Sequence, residues 1–445
     1  MLERVLGIGK TSRRFVDRDK GTVMEAYELK DSKISWQGFI PDHWKKDKLF
    51  RLCEKMGSGG TPTSTNENYY NGSIPWIQSG DLNDSYVSIT KKAITEEALN
   101  NSSAKIFPKG TLLVAMYGAT IGKLGIMEMD AATNQACCAL QVSKKFFSKF
   151  TYYLMLDMRQ FLINEAYGGG QPNISQETLK RQYMFIPNFD EQKAIADYLD
   201  KACQNIDKTI TLKQQQLDKL EAYRKSVIHE AVTKGLDKTV PMKDSGVDWL
   251  GNIPKRWSIS QLKYVIEFHD NRRIPLNSEE RGVMLEKSYD YYGASGVIDK
   301  VDNYIFDEPM ILLGEDGANL ITRSKPLAFI ARGKYWVNNH AHILKPKRGN
   351  IEYWTYILEN MEYSLYVTGA AQPKLSSMNL GKVKLVYVKN IEEQNTIADY
   401  LDKACTNIDK TKETIAKQIK TLTQYRQSLI HECVTGKKRV YQSTN

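Results

Sequence analysis

A segment of 43 residues is written twice in this chain. Residues 191–233 read EQKAIADYLDKACQNIDKTITLKQQQLDKLEAYRKSVIHEAVT, and residues 393–435 read EQNTIADYLDKACTNIDKTKETIAKQIKTLTQYRQSLIHECVT. The copies align without a gap at an offset of about 202, with roughly 26 identities in the 43 positions. So long a period marks a duplicated unit, and the fold must give both copies equivalent surroundings. Two shorter pairs extend the repeat. Trp36-Gln-Gly-Phe-Ile-Pro41-x-x-Trp44 is echoed by Trp249-Leu-Gly-Asn-Ile-Pro254-x-x-Trp257. Gly168-Gly-Gly-Gln-Pro-Asn-Ile-Ser175 is echoed by Gly369-Ala-Ala-Gln-Pro-Lys-Leu-Ser376. Each unit therefore reads as an Ile-Pro-x-x-Trp lead-in, a module, a Gln-Pro exit and a helix. Thr22 to Trp36 resembles Thr239 to Trp249, which follows the first repeated segment. The chain thus begins with what would be expected after the second, implying a pseudo-two-fold arrangement with its ends close together.

Heptad spacing governs the repeated segments. Leu199, Ile206, Leu220 and Val227 mark the first, with Lys213 interrupting; Leu401, Ile408, Ile415, Leu422 and Leu429 mark the second. Flanking apolar residues, Ala202 and Ile210 in the first and Ala404 and Ile419 in the second, widen the stripes. Sustained over this length without internal Pro or Gly, the pattern predicts two long helices forming an antiparallel coiled coil. Asn188 with Glu191, and Asn390 with Glu393, give capping-box-like starts; Gly235 and Gly436 mark the ends. At about 1.5 Å per residue each segment makes a rod of roughly 65 Å. Cys203 and Cys405 are repeat equivalents on the apolar face and read as packing residues. No Cys-x-x-Cys pair occurs among the six cysteines, so a zinc ribbon is unsupported.

Residues 46–187 and 258–388 carry short β-like runs such as Gly110-Thr-Leu-Leu-Val-Ala-Met-Tyr117 and Met310-Ile-Leu-Leu313, with a few helical stretches. The expected fold class is α+β: two mixed α/β modules joined by the two long helices. The domain boundaries expected are 1–45 (the first 30 or so residues unassigned), 46–187, helix 188–235, linker 236–257, 258–388, helix 389–436 and tail 437–445. Between lead-in and exit the two modules barely resemble each other. A repeated frame with divergent inserts suits a protein that reads two different things.

The net charge of +10 and pI near 9.0 make a nucleic-acid partner plausible without requiring one. No apolar run approaches a membrane span, the N-terminus lacks the apolar core of a signal peptide, and a cytoplasmic location is expected. Polar and aromatic clusters in predicted loops are the candidate DNA contacts. In the first module these are Thr61, Thr63, Gln78, Ser79, Tyr117, Thr120, Lys123 and Gln171. In the second they are Arg272, Arg273, Tyr292, Ser295, Asn319, Arg332, Lys334, Asn338, Asn339, His340, Gln372 and Lys374. Arg, Lys, Asn and Gln read base edges bidentately, whereas Ser, Thr and Tyr more often hold phosphate.

Catalytic signatures are missing. Gly118 to Lys123 fails as a phosphate loop, because Tyr117 and Leu124 stand where Gly and Ser or Thr would be needed. His340-Ala-His342 reads better as a structural pair than as two metal ligands. No Asn-Pro-Pro-aromatic tetrapeptide, glycine-rich nucleotide fingerprint or nucleophile signature is found. No cofactor or metal is expected on this chain.

The order Ile-Pro-x-x-Trp, module, Gln-Pro-x-[IL]-Ser, [DE]-E-Q-x-x-I-A-x-Y-L-D helix, given twice, resembles the DNA-specificity subunit of type I restriction–modification systems. Ile74-Pro-Trp-Ile-Gln-Ser-Gly-Asp81, Thr133-Asn-Gln-Ala136, Tyr292-Gly-Ala-Ser-Gly296 and Asn338-Asn-His-Ala-His342 are similar to that family's target recognition domains. The resemblance covers almost the whole chain beyond about residue 30. It implies that each module reads one half of a split site on double-stranded DNA, and that the helices space the half-sites and dock two modification subunits. Those subunits would bind S-adenosylmethionine and methylate adenine at N6. Added restriction/translocase subunits would use ATP and Mg. Two readers on one rod would sit about one DNA turn apart, on the order of 35 Å. Two other classes stay open at this point: a coiled-coil scaffold without a DNA role, and a self-sufficient methyltransferase or nuclease with unrecognised motifs.

Overall fold

The computed structural model describes residues 28–166, 173–369 and 372–441, together with the backbone of 14–16 and 23–25. It divides into two compact units, Met1–Leu212 with Ile419–Asn445, and Lys213–Gln418. The repeated segments are helices, Phe189–Lys234 and Ile391–Val434. Each contributes one part to each unit.

After a short antiparallel pair, Arg14–Val16 with Val23–Glu25, the first unit carries a hairpin of β1 (Leu29–Asp31) and β2 (Phe39–Pro41), followed by β3 (Lys45–Lys48). The module continues through β4 (Cys53–Ser58), β5 (Tyr70–Ile77), β6 (Ser85–Val87), β7 (Ala93–Ile94), β8 (Ile106–Phe107), β9 (Leu112–Ala115), β10 (Leu124–Met127), β11 (Ala131–Thr133) and β12 (Cys137–Val142). A helix, Ser148–Asn164, precedes the exit strand β13 (Tyr183–Ile186). One sheet has the order β4-β12-β9-β10-β6 and a second β8-β11-β5-β7, in which β5 and β11 run parallel. The exit strand returns to pair with β3.

Strand β9 reads as a continuous apolar run because both its faces are covered. Leu112 and Val114 pack with Leu140, Phe150 and the long-helix residues Leu199 and Cys203. Leu113 and Ala115 point the other way, to Ile77, Phe107 and Ala139. Burial pushes the Cys137 and Cys138 thiols up to about 12, which leaves them inert packing groups.

The second unit repeats this plan. It has a hairpin of β14 (Met242–Asp244) and β15 (Asn252–Pro254), then β16 (Ser258–Gln261), β17 (Ile266–Phe268), β18 (Tyr289–Gly293), β19 (Gly296–Val301), β20 (Met310–Gly314), β21 (Ala328–Ala331), β22 (Tyr335–Val337), β23 (Ala341–Pro346) and β24 (Lys384–Tyr387). Its sheets run β17-β23-β20-β21 and β19-β18-β22, with β18 and β22 parallel and β24 paired to β16. The two faces of β20 again divide between two cores, Ile311 and Leu313 in one and Met310 and Leu312 in the other.

Within each unit the two long-helix segments run antiparallel. In the first, Asp207 pairs with Arg426 at 2.9 Å, while Tyr198, two to three turns earlier, meets Lys438 beyond the other helix's end. In the second, Lys213 donates to Gln418, Glu221 pairs with Lys412, and Arg224 approaches Asp409 at 3.8 Å. As one number rises the other falls. Leu199, Ile206, Leu401, Ile408, Ile415 and Leu429 are buried, and Leu220, Val227 and Leu422 are half-buried. Cys203 and Cys405 are buried among them.

Asparagine caps both helix starts. Asn188 and Asn390 accept from Glu191 and Glu393 backbone N–H at 3.0 and 3.2 Å. The glutamate side chains also reach the lead-in. Glu191 accepts from Trp44 Nε1 at 3.2 Å and faces His43, and Glu393 accepts from Trp257 Nε1 at 3.1 Å and pairs with Arg256. The lead-in tryptophan of each unit is thus tied to the start of one long helix.

That tryptophan also abuts the end of the other helix in its unit. Gly235 and Gly436 hold positive φ, and a Cβ on them would meet Trp257 and Trp44 at 3.1 and 3.0 Å. Glycine is needed there for conformation and for space. The hairpin at 29–41 thus completes the end of the second helix, as the hairpin at 242–254 completes the end of the first.

Candidate nucleic-acid interface

The polar loops of the first unit gather where the parallel strands β5 and β11 run out. Ile77 pairs with Thr133, and the next residues continue the ladder, Asn134 N–H donating to the Ile77 carbonyl at 3.0 Å. A tight turn follows. Asn134 Oδ1 accepts from Ala136 N–H at 3.2 Å, and the Asn134 carbonyl accepts from Cys137 N–H at 3.3 Å. Gln135 stands exposed at its corner, where the Thr61 hydroxyl donates to its Oε1. The loop carrying Thr61 is held by Gly59 N–H on Thr133 Oγ1 at 3.1 Å and by Trp76 Nε1 on the Gly60 carbonyl at 3.2 Å. Tyr117 bridges to Asn173, and burial pushes its phenol up. Gln78 follows Ile77 in a turn fixed by Asp81, which accepts from Gln78 N–H at 2.9 Å.

The structure therefore brings together Thr61, Gln78, Tyr117 and, beside Gln78, Ser79. Thr63 is exposed further along the Thr61 loop. Thr120 and Lys123 lie beyond Tyr117 in the β9–β10 hairpin, the Thr120 carbonyl accepting from Lys123 N–H at 2.9 Å. Gln171 lies outside the described residues. Gln135 and Asn173 were not among the sequence candidates. The pointer to Gln135 was the Asn-Gln step directly after a strand.

The second unit builds the same corner from other side chains. Asn338 N–H donates to the Tyr292 carbonyl at 3.0 Å, and Asn338 Oδ1 accepts from His340 N–H at 2.8 Å, as at Asn134. Glu315 N–H donates to the His340 carbonyl and the Glu315 carbonyl accepts from Leu375 N–H, matching Met116 with Ala136 and Ile174. Asp316 bridges to Lys374 where Tyr117 bridges to Asn173. Neutral residues in the first unit are replaced by charged ones here. His340 pairs with Asp316 at 2.8 Å, and buried Glu315 takes Lys374 at 3.3 Å and Arg273.

Behind this corner lies an ion network. His342 is fully buried between Asp270 Oδ2 and the Leu375 carbonyl, each at 2.7 Å. Ser377 donates to Asp270 at 2.8 Å, and Ile343 N–H to its other oxygen at 2.8 Å. Burial pushes the Asp270 carboxyl up, but these hydrogen bonds outweigh it and hold the group below its ordinary range. His340 and His342 thus take different partners on alternate strand positions, and no group of three metal-ligating side chains occurs among the described residues.

Tyr292, Asn338, Asn339, His340 and Lys374 meet at this corner, with Ser295 in the adjoining β18–β19 turn and Gln372 two residues before Lys374. Arg273 reaches it from below, donating to the Ala341 carbonyl at 2.9 Å. The remaining candidates are placed elsewhere. Arg272 is paired with Glu308 at 3.0 Å, its guanidinium over the Phe306 ring. Arg332 pairs with Glu352 at the opposite end of β20, since Met310 is registered with Ala331. Lys334 lies over the Tyr304 ring at 4.5 Å. Asn319 braces its own loop, accepting from Lys325 N–H at 2.9 Å.

Two units of one plan, each with a rigid frame and a differently furnished polar corner, match what comparison finds. The family described as Type I restriction modification DNA specificity domain matches residues 41–222 and 254–421. This chain belongs to that family. It is 27% identical over 440 residues to the type I restriction enzyme MjaIX specificity subunit of Methanocaldococcus jannaschii, covering 93% of this chain and 97% of that one. It is also 27% identical over 177 residues to the EcoR124I/EcoR124II specificity subunit of Escherichia coli, covering 37% of this chain and 44% of that one. A chain solved in a study of complex assembly and conformational transition of the type I R-M system superposes with a TM-score of 0.71 at 13% identity, covering 90% of this chain and 99% of its own. The HsdS subunit from Thermoanaerobacter tengcongensis superposes at 0.51 with 14% identity, over 90% and 98%. These structures share the fold. Membership makes the chain a non-catalytic DNA-specificity component that works with other subunits. Among the described residues no helix is long and apolar enough to cross a membrane.

Proposed function

We propose that residues 46–187 and 258–388 are target recognition domains, each reading one half of a bipartite, asymmetric DNA site. The long helices set the gap between the half-sites and present docking surfaces to two modification subunits. Those partners carry S-adenosylmethionine and methylate adenine N6 in the cytoplasm. Restriction subunits, where present, supply ATP- and Mg-dependent translocation and cleavage.

One observation carries this reading. The backbone hydrogen bonds of the corner recur in both units while the side chains on it change from neutral to charged. A frame kept constant beneath a variable polar tip suits two readers of different base sequences better than a scaffold, which would need no such difference. Base edges are read by side chains held in place by a fixed backbone.

The test is modified-base sequencing of DNA from cells making this chain with its cognate modification subunit, against cells lacking the chain. The expected result is N6-methyladenine at a new two-part motif that disappears with the chain. An assembled, active complex that yields no such motif overturns the proposal.

A further inference from the structure

We propose that Arg273 is a positioning residue for the second half-site, acting from inside the module by holding the backbone that presents Asn339 and His340 to DNA. The inference rests on the half-site reading above and assigns how one of the two reading corners is held.

Asn339 and His340 are exposed on the turn between β22 and β23. Hydrogen bonds to its backbone keep that turn in one place. Asn338 N–H donates to the Tyr292 carbonyl at 3.0 Å, and Asn338 Oδ1 accepts from His340 N–H at 2.8 Å. The His340 carbonyl accepts from Glu315 N–H at 2.9 Å. The carbonyls on either side of it, those of Asn339 and Ala341, both meet Arg273 Nη1, at 3.4 and 2.9 Å. The same nitrogen donates to the Glu315 carboxylate. Three successive carbonyls are thus held by two residues, and those two residues are paired with each other.

Arg273 is itself fixed. Its Nε donates to the Asp270 carbonyl at 3.1 Å, and the Asp270 carboxylate is gripped by His342, Ile343 N–H and Ser377. Only 16% of the arginine side chain is exposed. A planar guanidinium presents its donors at set angles and can serve a carboxylate and backbone carbonyls together. A lysine ammonium is a compact charge on a flexible stem and does not reproduce that fork. The first module braces the strand leading into its turn without a cation. Gly59 N–H donates to Thr133 Oγ1, and a Cβ on Gly59 would meet the Thr133 carbonyl at 1.9 Å. There backbone abuts backbone, whereas an arginine side chain makes the link in the second module. Base-edge hydrogen bonds hold only over a narrow range of distance and angle. A turn released from Arg273 therefore loses discrimination at every letter it reads, not at one.

The experiment uses the full chain with its modification subunit, read by methylated-motif sequencing. Asn339→Ala with His340→Ala first marks the letters that the turn reads. If this pair of changes leaves every letter in place, the turn reads nothing and the inference falls. Arg273→Lys should relax those same letters together, discrimination falling roughly 5- to 150-fold, with the first half-site unchanged. Added to the Asn339→Ala/His340→Ala chain, Arg273→Lys should change the motif no further, because a residue acting through the turn then has nothing left to position. A general folding defect would deepen the loss, and a direct base contact would relax a letter of its own. Either result overturns the inference, as does an Arg273→Lys motif with every letter retained. Binding across salt concentration tests for a phosphate contact. Arg273→Gln should keep the native salt slope, and a slope smaller by about one overturns the assignment. Should Arg273→Lys not assemble, Arg273→Gln takes its place in the motif comparison. A native complex with no two-part motif overturns the half-site reading itself, a result distinct from all of these.

Discussion

Glu191 and Glu393 do the same thing in each unit: a carboxylate at a helix start holds an indole N–H from the lead-in. Glu191 is buried, so removing it leaves Trp44 Nε1 without its acceptor in a place water does not reach. Glu191→Ala should cost about 1–3 kcal/mol in urea unfolding, with Glu393→Ala at the lower end because its side chain is more exposed. Equal stability of both variants to the native chain would show the indole bonds to be incidental. Asp270 gives a pH signature. Its folded-state carboxyl titrates below the ordinary carboxylate range because hydrogen bonds from His342, Ile343 N–H and Ser377 outweigh burial. A depressed acid stabilises the fold above its unfolded value and loses that contribution as pH falls through the folded one. Asp270→Asn should therefore be less stable than the native chain by about 1–3 kcal/mol near neutral pH. The gap should close as pH drops below about 4. Thermal unfolding across pH measures it, and a gap independent of pH would contradict the assignment.

At the scale of elements, the antiparallel register can be read from paired charges. Asp207 faces Arg426 in one unit, and their repeat equivalents Asp409 and Arg224 face each other in the other. Arg426→Asp places two acids together beside Cys203 and Tyr152, and should cost about 1–3 kcal/mol. Adding Asp207→Arg should restore part of that, and a double-mutant cycle reads the coupling. No coupling would refute the register. The long helices were legible in the sequence because heptads, asparagine caps and terminal glycines all point the same way, and local agreement of that kind is what specifies a helix. The common frame of the two modules was not. It is preserved in backbone hydrogen bonds, while the side chains at matching places, Met116 and Glu315, or Cys138 and His342, share no chemistry. Only the turn asparagines, Asn134 and Asn338, left a trace. The candidate arginines show the other limit. Composition marks Arg272 and Arg332 as base readers, but their carboxylate partners Glu308 and Glu352 are distant in sequence and appear only on folding.

For the whole molecule, the proposed ruler makes a prediction that depends on the helical geometry of both partners. Lys213 donates to Gln418 at 2.7 Å, so matched insertions at this level in both long helices preserve their pairing. One heptad adds about 10.5 Å of helix, close to three base pairs of rise. Three base pairs also rotate the second half-site by roughly 100° about the DNA axis. A coiled coil extended by a heptad keeps nearly the same facing. A one-heptad variant should thus prefer a gap longer by about three base pairs but methylate it weakly, because one module faces away from its groove. Three heptads add about 31.5 Å, near the 34–36 Å of a full DNA turn, and bring the second groove back to the same face. Methylation should recover at a gap lengthened by nine to ten or so base pairs, with the letters of both half-sites unchanged. Motif sequencing of both variants reads gap and letters together. If either variant still methylates only the original gap, the helices do not set the spacing. If the letters change with length, the modules do not read independently of the rod that carries them.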